Sequence, residues 1–502
     1  MAGQGKRFRR AGYDTYKPFL PIFGKPMVQW VLDAFPRHVT KRVLADPALL
    51  TADQLDYLRA HPDVVVHLVP SHSLGPAYTI HQARAELPLD EAYFIAYADI
   101  FWTWDWARVE RMLDADGIVY TRRSFHPHLV GNNYSAFCRA DPADPDRLVE
   151  IREKGSFTDD WMNEPLSVGA FYVRDGRTMI QAISTMIAED RRVSHEFFPS
   201  LLFNDIVEAG GHVRLQDVDF FIHWGVPEQL EDMRGWVRTA RALATPPQPR
   251  DAENVCCMGG SGARMQGHSA LAKALIPVAD GEPMFRFVAR RFACRSDHFI
   301  VSDPMREAVC SRGVHEEQLV SVGAPTSSQL ATLALAAGFL SGKQRFFLTS
   351  CDAFGLWNED VFAEFLSRER PDAVVFTFEP TLLQGRLGGS HTYVQRDGDR
   401  VTHVHIKHRP DAEARGLAGF FWFRDGSVFS RLSDIPDDPG RELCADHVLK
   451  FMVDCGANVA AFPLDAYVHL GSPPELQEFE FWHRYHHVFD ASGVKQSFVA
   501  TS

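Results

Sequence analysis

The sequence lacks long apolar runs, paired cysteine motifs and an excess of positive charge. Its apolar stretches are far shorter than a bilayer span, and no basic segment followed by an apolar one opens the chain, so we expect a soluble, cytoplasmic protein without a membrane partner. Lys and Arg number 52 against 65 Asp and Glu, and the net charge of −13 disfavours nucleic acid as a partner. The eight cysteines form no C-x-x-C pair, so neither a zinc site nor a disulfide framework is predicted.

The stretch from Met1 to Pro26 has the composition of a loop that wraps phosphates. Gly3 and Gly5 carry no Cβ, so the backbone can approach a phosphate and present successive N–H groups to it, while Arg7 and Lys17 supply positive charge. A lone glycine turn with solvated basic residues would be unremarkable in itself. The pattern recurs after Met258, however, in the residues Gly260, Gly262, Arg264 and Lys273.

Further segments repeat in the same order. YADIF, with Asp99, matches SCDAF, with Asp352; FYVRDG matches FWFRDG; and DFFIHWG matches DAYVHLG. Because the order is preserved, we infer two copies of one fold, separated by a proline-containing linker. The predicted organisation is a first domain at 1–245, a linker at 246–254, a second domain at 255–490 and a C-terminal tail at 491–502.

Strand, glycine-rich loop and helix alternate along each copy, which predicts the α/β class with two tandem doubly wound, mostly parallel sheets. Ligands of such sheets bind beyond the carboxyl ends of the strands. The apolar run EAYFIAYADIFW predicts a buried strand that ends on Asp99. A carboxylate at that position is costly unless paired, and a divalent cation that bridges to phosphate is a natural partner, so Asp99 and Asp352 are predicted metal ligands. The alternative is an ordinary turn or helix-cap aspartate.

The two loops resemble the signature of the nucleotidyltransferases that make sugar nucleotides, a family with a Rossmann-like, GT-A-like fold. That signature is Gly-x-Gly-x-Arg, then Pro-Lys, then a segment like Leu-Pro-Val-x-Gly-Lys-Pro; Tyr16 stands where the family usually has proline. The resemblance implies Mg²⁺-dependent transfer of a nucleoside monophosphate from a nucleoside triphosphate to a phosphorylated small-molecule acceptor, with release of pyrophosphate. It implies that the arginines and lysines of the two loops neutralise the triphosphate; these are Arg7, Lys17, Arg264 and Lys273. It further implies that Gly75 lies against the nucleobase and that Lys154, of the pair Glu153-Lys154, orients the acceptor phosphate.

Many relatives carry a second metal-binding aspartate two residues before the glycine of the terminal Trp-Gly segment. Here that position is His223, and Asp219 or Asp217 could substitute, so these three residues remain alternatives. Asp219 and His223 recur as Asp465 and His469, which favours Asp219 and Asp465 as metal ligands. His126 and His128 would share one face of a strand, and we interpret them as structural or substrate-binding residues.

The second copy departs from the family pattern on its acceptor side. Glu282 replaces the lysine of Gly-Lys-Pro, and VHIKHRP replaces Glu153-Lys154, so that Lys407 or Arg409 would take the basic role. We therefore expect two nucleotide sites, with transfer carried by the first. The segments FHPH, EIREK and MNEP resemble enzymes of capsule or surface-polysaccharide synthesis, which favours a cell-surface precursor as product.

Two other functions are compatible with the same motifs. One is a nucleotide-binding regulatory or scaffold protein with one or both sites inactive. The other is a GT-A glycosyltransferase, which the missing Asp-x-Asp at Asp99 disfavours.

A strand expected before the first glycine loop has no counterpart in the sequence. In the second copy ENVCCM leads into the loop, whereas the first copy opens on the loop at Met1. We expect a segment upstream of Met1, or another part of the chain, to fill this position, because two strand edges would otherwise lack a partner.

Overall fold

The computed structural model describes residues 1, 3–131, 134–260, 262, 265, 267–387, 391–436 and 443–490. The chain divides into two compact units, one formed by residues 1–234 with the segment that begins at His487, and one formed by residues 235–486. The boundary falls inside the helix Pro227–Leu243, and a strand of the second unit already begins at Arg250. Residues 250–254 of the predicted linker therefore belong to a strand.

The strands of the first unit are β1 (Pro21–Ile22), β2 (Lys25–Pro26), β3 (Lys41–Ala45), β4 (Val64–Leu68), β5 (Tyr93–Ala96), β6 (Ile100–Thr103), β7 (Gly117–Arg122), β8 (Phe137–Asp141), β9 (Asp144–Arg152), β10 (Leu166–Val173), β11 (Val213–Asp217) and β12 (Phe220–His223). Its helices are α1 (Lys6–Arg10), α2 (Met27–Asp33), α3 (Ala52–Arg59), α4 (Pro76–Ala83), α5 (Trp106–Glu110), α6 (Gly176–Ala188) and α7 (Leu202–Glu208), and α8 (Pro227–Leu243) spans the boundary.

The strands of the second unit are β13 (Arg250–Met258), β14 (Pro277–Val278), β15 (Glu282–Pro283), β16 (Cys294–Val301), β17 (Leu319–Ser321), β18 (Gln344–Ser350), β19 (Ala353–Leu356), β20 (Ala373–Phe378), β21 (Tyr393–Asp397), β22 (Arg400–His405), β23 (Arg415–Asp425), β24 (Val459–Pro463) and β25 (Ala466–His469). Its helices are α9 (Met284–Phe292), α10 (Asp303–Cys310), α11 (Gln329–Leu335), α12 (Ala337–Leu340), α13 (Glu359–Glu369), α14 (Leu382–Leu387), α15 (Asp446–Asp454) and α16 (Pro473–Tyr485).

Both units are built on mixed sheets, and the α/β class predicted from the sequence is confirmed. The second unit has the strand order β17-β16-β13-β18-β23-β20-β24-β22-β21, in which β13 lies parallel to both β16 and β18. The first unit has a six-stranded sheet of order β5-β10-β7-β11-β9-β8, which corresponds to the last six positions of the second sheet. Its strands β3 and β4 form a separate parallel pair. Among the described residues, no strand of the first unit occupies the position that β13 has in the second.

The central strand β10 shows why the first sheet is covered on both faces. All eight of its residues are buried, and alternate side chains enter different cores because successive residues of a strand point to opposite faces. Phe171 and Val173 pack with α6 and α7, whereas Ala170 and Tyr172 pack with an aromatic cluster around Trp102. This double burial makes the sheet a firm support for the loops at its edge.

Two local predictions differ from the structure. His126 caps a 3₁₀ turn at Pro127–Leu129 and His128 lies within that turn, so neither lies on a strand. The strand before Asp99 ends at Ala96, so Asp99 lies in the short connection between β5 and β6.

In the part of the chain that the structure describes, no helix combines the length and the apolar character needed to cross a bilayer.

Candidate functional site

The site of the first unit is centred on an ion pair between Lys17 and Asp99. Lys17 begins a 3₁₀ turn, and its Nζ donates to Asp99 Oδ2 at 2.6 Å and to the Gly225 carbonyl at 3.1 Å. Burial alone would raise the pKa of the Asp99 carboxyl, but the charges of Lys17 and His223 hold that pKa below its usual value. Asp99 is therefore ionised, and 36% of its side chain is still exposed.

The glycine loop is fixed against this lysine. Gly5 has φ 60°, a left-handed conformation that favours glycine, and a Cβ at that position would lie 3.4 Å from Lys17 Cβ. The Tyr16 hydroxyl donates to the carbonyls of Met1 and Gly3, at 2.8 and 3.1 Å. Tyr16 therefore anchors the loop through side-chain hydrogen bonds, which the proline usual in the family could not donate. Arg7 is exposed on the one-turn helix α1.

A cavity of about 180 Å³ opens beside Asp99. Its wall combines carboxylates, hydroxyl groups and aromatic rings, which is the mixture expected where a polar small molecule is oriented. The polar lining residues are Tyr97, Asp99, Ser135, Glu153, Ser167 and His223.

Of the predicted acceptor pair Glu153-Lys154, it is Glu153 that lines this cavity. Glu153 accepts a hydrogen bond from the Ser200 hydroxyl, and burial raises its pKa although Ser200 and Lys154 act in the opposite direction. Lys154 has φ 55°, an uncommon conformation for a residue with a Cβ, and its Nζ lies 3.7 Å from Glu196 Oε2. This backbone turn directs consecutive residues of the loop to different surroundings, so that Glu153 lines the cavity while Lys154 reaches Glu196.

Three histidines pack together behind Asp99. The ring of His223 lies 5.3 Å from those of His126 and His128, measured between centroids. The Gln229 amide lies 2.6 Å from His223 Nε2, and His128 Nε2 lies 3.4 Å from Asp232 Oδ2. Burial and the neighbouring histidines lower the pKa of His126 well below its usual value, so that ring is neutral.

The structure separates Asp219 from Asp99 and thereby corrects the proposed second ligand. Strands β6 and β12 are antiparallel, Asp219 pairs with the Thr103 end, and Trp224 donates to the Asp99 carbonyl at the other end. Four residues of strand place the two aspartates about 13 Å apart. His223 is the side chain beside Asp99.

The other two aspartates of the prediction are likewise engaged elsewhere. Asp217 accepts from the Thr121 hydroxyl at 2.6 Å and pairs with Arg123 at 2.9 Å. In the second unit Asp465 donates its N–H to Leu356, at the far end of the β19–β25 ladder from Asp352. Asp465 therefore does not share a site with Asp352.

Gly75 has a packing role in the structure. It has φ 91°, and a Cβ there would lie 2.8 Å from the backbone N and O of Phe197. Only glycine permits this close approach, and its predicted contact with a nucleobase stays a prediction.

The contact between the glycine loop and its lysine recurs in the second unit. Gly262 has φ 66°, and a Cβ there would lie 2.9 Å from Lys273 Cβ, which repeats the arrangement at Gly5. Gly260 bridges to Thr326, whereas Arg264 lies outside the described residues. Lys407 has φ 51°, close to the 55° of Lys154. Of Lys407 and Arg409, it is therefore Lys407 that occupies the position equivalent to Lys154.

The charged groups of the second site form a buried chain. Lys273 Nζ donates to Asp352 Oδ2, His469 Nε2 lies 3.5 Å from the same oxygen, and His469 Nδ1 lies 2.7 Å from Glu475 Oε1. Burial alone would raise the pKa of Asp352, but Lys273 and His469 hold it well below its usual value. Burial would lower the pKa of His469, but the two carboxylates raise it.

The donor sets of the two units differ in their fit to a divalent cation. Among the described residues no group of three or more His, Cys, Asp or Glu side chains could hold a metal ion alone. Mg²⁺ is commonly held by one or two carboxylates together with substrate phosphates, and the partly exposed Asp99 fits that mode. Asp352 does not fit, since it is 5% exposed and already paired with two basic side chains.

Several residues of the site were missed in the sequence. Ser200 gave no local signal, because it reaches Glu153 only through the fold. Gln229 and Glu475 could have been found, since the 246-residue offset that matches His223 with His469 also matches these two.

Comparison with known proteins gives a family. The MobA-like NTP transferase domain matches residues 1–153 and 256–407, which is more than half of the chain. No curated protein matches the sequence. Similar solved structures are a nucleoside-diphosphate-sugar pyrophosphorylase from Vibrio cholerae and an inositol-1-phosphate CTP transferase from T. maritima. Each is 16% identical to this chain, with TM-scores of 0.39 and 0.37; the alignments cover 46% and 47% of this chain and 96% of each of those.

Proposed function

Because the chain belongs to the family of the MobA-like NTP transferase domain, and is thereby a nucleotidyltransferase, we propose that its first unit transfers a nucleoside monophosphate from a nucleoside triphosphate to a phosphate monoester. The observation that carries the proposal is the Lys17–Asp99 pair at the edge of a cavity lined by Glu153. The ammonium group of Lys17, suited to a triphosphate, and a polar cavity, suited to an acceptor, support this proposal.

The reaction needs little from the protein beyond position and charge. An oxygen of the acceptor phosphate attacks the α-phosphorus in line, the bond from that phosphorus to the oxygen bridging to the β-phosphate breaks, and pyrophosphate leaves with the electron pair. The acceptor is already anionic, so no general base is required. Lys17, held by Asp99 and the Gly225 carbonyl, is a fixed positive charge beside the glycine loop.

A divalent cation, which we propose to be Mg²⁺, would be held by Asp99 and would neutralise charge on the triphosphate. The 36% exposure of the Asp99 side chain leaves its carboxylate accessible for this role while Lys17 bonds Oδ2.

The acceptor we propose is a phosphorylated sugar or polyol that serves as a cell-surface precursor. Ser135, Ser167, Tyr97 and Glu153 supply hydroxyl and carboxyl groups around the cavity, as a hydroxyl-rich molecule requires.

A pyrophosphate-release screen of four nucleoside triphosphates against a panel of sugar and polyol phosphates tests the function. We expect Mg²⁺-dependent release with one pairing. Lys17→Met should lower kcat/KM by about 30- to 900-fold, because losing such a charge costs about 2 to 4 kcal/mol in the transition state.

Asp99→Asn and Asp219→Asn provide a matched pair for the same screen. Both replace an aspartate at an end of the β6–β12 ladder, but only Asp99 lies at the cavity. We expect Asp99→Asn to abolish metal-dependent turnover and Asp219→Asn to retain it. Full activity of Asp99→Asn in a chain that also carries Asp352→Asn would refute the mechanism.

A further inference from the structure

Six aromatic side chains of the first unit form one group, which we call the Phe489 cluster. Its members are Phe23, Trp30, Phe101, Phe220, Trp224 and Phe489. Five of them come from residues 1–234, whereas Phe489 follows residues 235–486, which form the second unit. Phe489 is fully buried, and the segment that carries it belongs to the first unit. A residue far along the chain thus completes a core of the first unit.

Phe489 contacts four separate elements of that unit. Its ring lies 5.4 Å from that of Phe23, in the turn between β1 and β2, and 5.6 Å from that of Trp30 on α2, measured between centroids. The corresponding distances are 6.0 Å to Phe101 on β6 and 5.8 Å to Phe220 on β12. One side chain therefore joins the β1–β2 turn and α2 to the β6–β12 ladder.

The ladder connects the cluster with the ion pair of the site. Phe101 stacks on Trp224 at 6.2 Å between centroids, with an interplanar angle of 6°. The Trp224 N–H donates to the Asp99 carbonyl at 2.8 Å. The next carbonyl, of Gly225, accepts from Lys17 Nζ at 3.1 Å. The backbone that holds both partners of the ion pair is thus anchored on the aromatic cluster.

The second unit takes the corresponding ring from its own helix α16. Phe287 on α9 has the position that Trp30 has on α2, since both helices begin with a methionine after the same proline. Phe479 of α16 packs on Phe287 at 5.5 Å between centroids and is 1% exposed. The residue of α8 that matches Phe479 is Met233, which carries no ring. In the first unit the ring is supplied by Phe489 instead.

We propose that Phe489 is a positioning residue of the first site, which fixes the backbone that carries Asp99 and the Gly225 carbonyl. The proposal rests on the proposed function for the reaction at this site, and on the contacts of Phe489 for the positioning. The charge of Lys17 stabilises the transition state only if the ammonium group is held in place during the reaction. Loss of the Phe489 ring would leave a cavity among four elements, into which the structure relaxes only in part.

Hydrogen exchange of the full chain, measured by mass spectrometry, tests the positioning without a substrate. In Phe489→Ala we expect peptides covering residues 97–104 and 220–226 to lose protection by more than about 100-fold, as deletion of a buried phenylalanine ring predicts. Peptides covering β7 and β11 should lose less, since the described residues of these strands contribute no ring to the cluster. If Phe489→Ala does not fold, the same comparison is made with Phe489→Leu.

Phe479→Ala is the matched control. It removes an equally buried ring, but one whose partners belong to the second unit. We expect the peptides of the first unit to keep their protection in this variant, because distant sites act independently.

Kinetics separates positioning from a loss of folded protein. With the pairing found in the pyrophosphate-release screen, Phe489→Ala should lower kcat and kcat/KM alike, by about 10- to 100-fold per folded chain, because misplaced catalytic groups act mainly on the transition state. Phe489→Leu refills most of the ring's volume and should restore most of this activity. A purely structural role would change the folded fraction and leave kcat per folded chain unchanged.

Several outcomes would overturn the inference. These are an equal loss of protection in all peptides of the first unit, unchanged protection of the ladder, an unchanged kcat per folded chain in Phe489→Ala, or the same loss in the first unit of Phe479→Ala. Failure of the proposed function is distinguishable. In that case the wild-type chain releases no pyrophosphate with any pairing, while the exchange comparison still decides whether Phe489 holds the ladder.

Discussion

Replacing Asp352 by asparagine should destabilise the second unit far more than Asp99→Asn destabilises the first. Both aspartates pair with a lysine of the glycine loop, but Asp352 is 5% exposed and Asp99 is 36% exposed. In Asp352→Asn the ammonium of Lys273 and the ring of His469 would keep their buried positions without the carboxylate between them.

The expected difference follows from the cost of an uncompensated buried charge. Removing one partner of a buried ion pair costs about 3 to 5 kcal/mol, whereas an exposed pair contributes about 0 to 1 kcal/mol. His469 retains Glu475, so we expect about 3 kcal/mol for Asp352→Asn. Water can reach the partly exposed Asp99 site, so we expect about 1 kcal/mol for Asp99→Asn.

Native-state hydrogen exchange measured by mass spectrometry resolves the two units within one chain, which a single melting curve would not. Peptides covering β13 and β18 report on the second unit, and those covering β7 and β10 report on the first. Adding Lys273→Met to Asp352→Asn should restore part of the lost protection, because the orphaned charge is removed. Equal losses in the two single variants would refute the reasoning from burial.

Three further predictions concern other parts of the two sites. Tyr16→Phe removes the hydroxyl that holds Met1 and Gly3 and should cost about 0.5 to 1.5 kcal/mol of protection in the first loop, measured by the same exchange experiment. Gly75→Ala should lower the exchange protection of the first unit, because its Cβ would collide with the Phe197 backbone; unchanged protection would contradict the close approach. The raised folded-state pKa of His469 stabilises the second unit fully below the unfolded value of about 6.5, and this contribution should be lost as pH rises through the folded value. Exchange protection of β13 and β18, measured against pH and corrected for the intrinsic exchange rate, checks this, and Glu475→Gln should weaken the pH dependence.

The sequence was sufficient for those features that depend on local spacing. The similar spacing of Gly5 and Lys17, and of Gly262 and Lys273, corresponds to one local arrangement in the structure, in which each glycine has a positive φ and lies beside its lysine. The matched order of segments predicted two copies of one α/β fold, and the family match to both halves confirms it. These predictions succeeded because a glycine turn and its neighbouring strand are set by residues close in the chain.

Predictions that required distances across the sheet were less successful. Asp219 and His223 are four residues apart, and only the direction of β12 decides which of them meets Asp99. The cavity draws on residues from Tyr97 to His223, which no local pattern could bring together. The partnership of Ser200 with Glu153 likewise arises from the packing of separate segments.

The equivalent histidines His223 and His469 have different neighbours in the two units, Gln229 in the first and Glu475 in the second. Gln229 is a neutral neighbour of His223 and leaves Asp99 as a carboxylate that one lysine only partly covers. Glu475, at the matching position, adds a second carboxylate; burial alone would lower the pKa of His469, but Glu475 and Asp352 together raise it. The exchange of an amide for a carboxylate at this position therefore changes the charge around the histidine and the neighbouring aspartate. Both loops keep their glycine and lysine, so the two copies differ at the neighbours of the aspartate while the contact between glycine and lysine is retained.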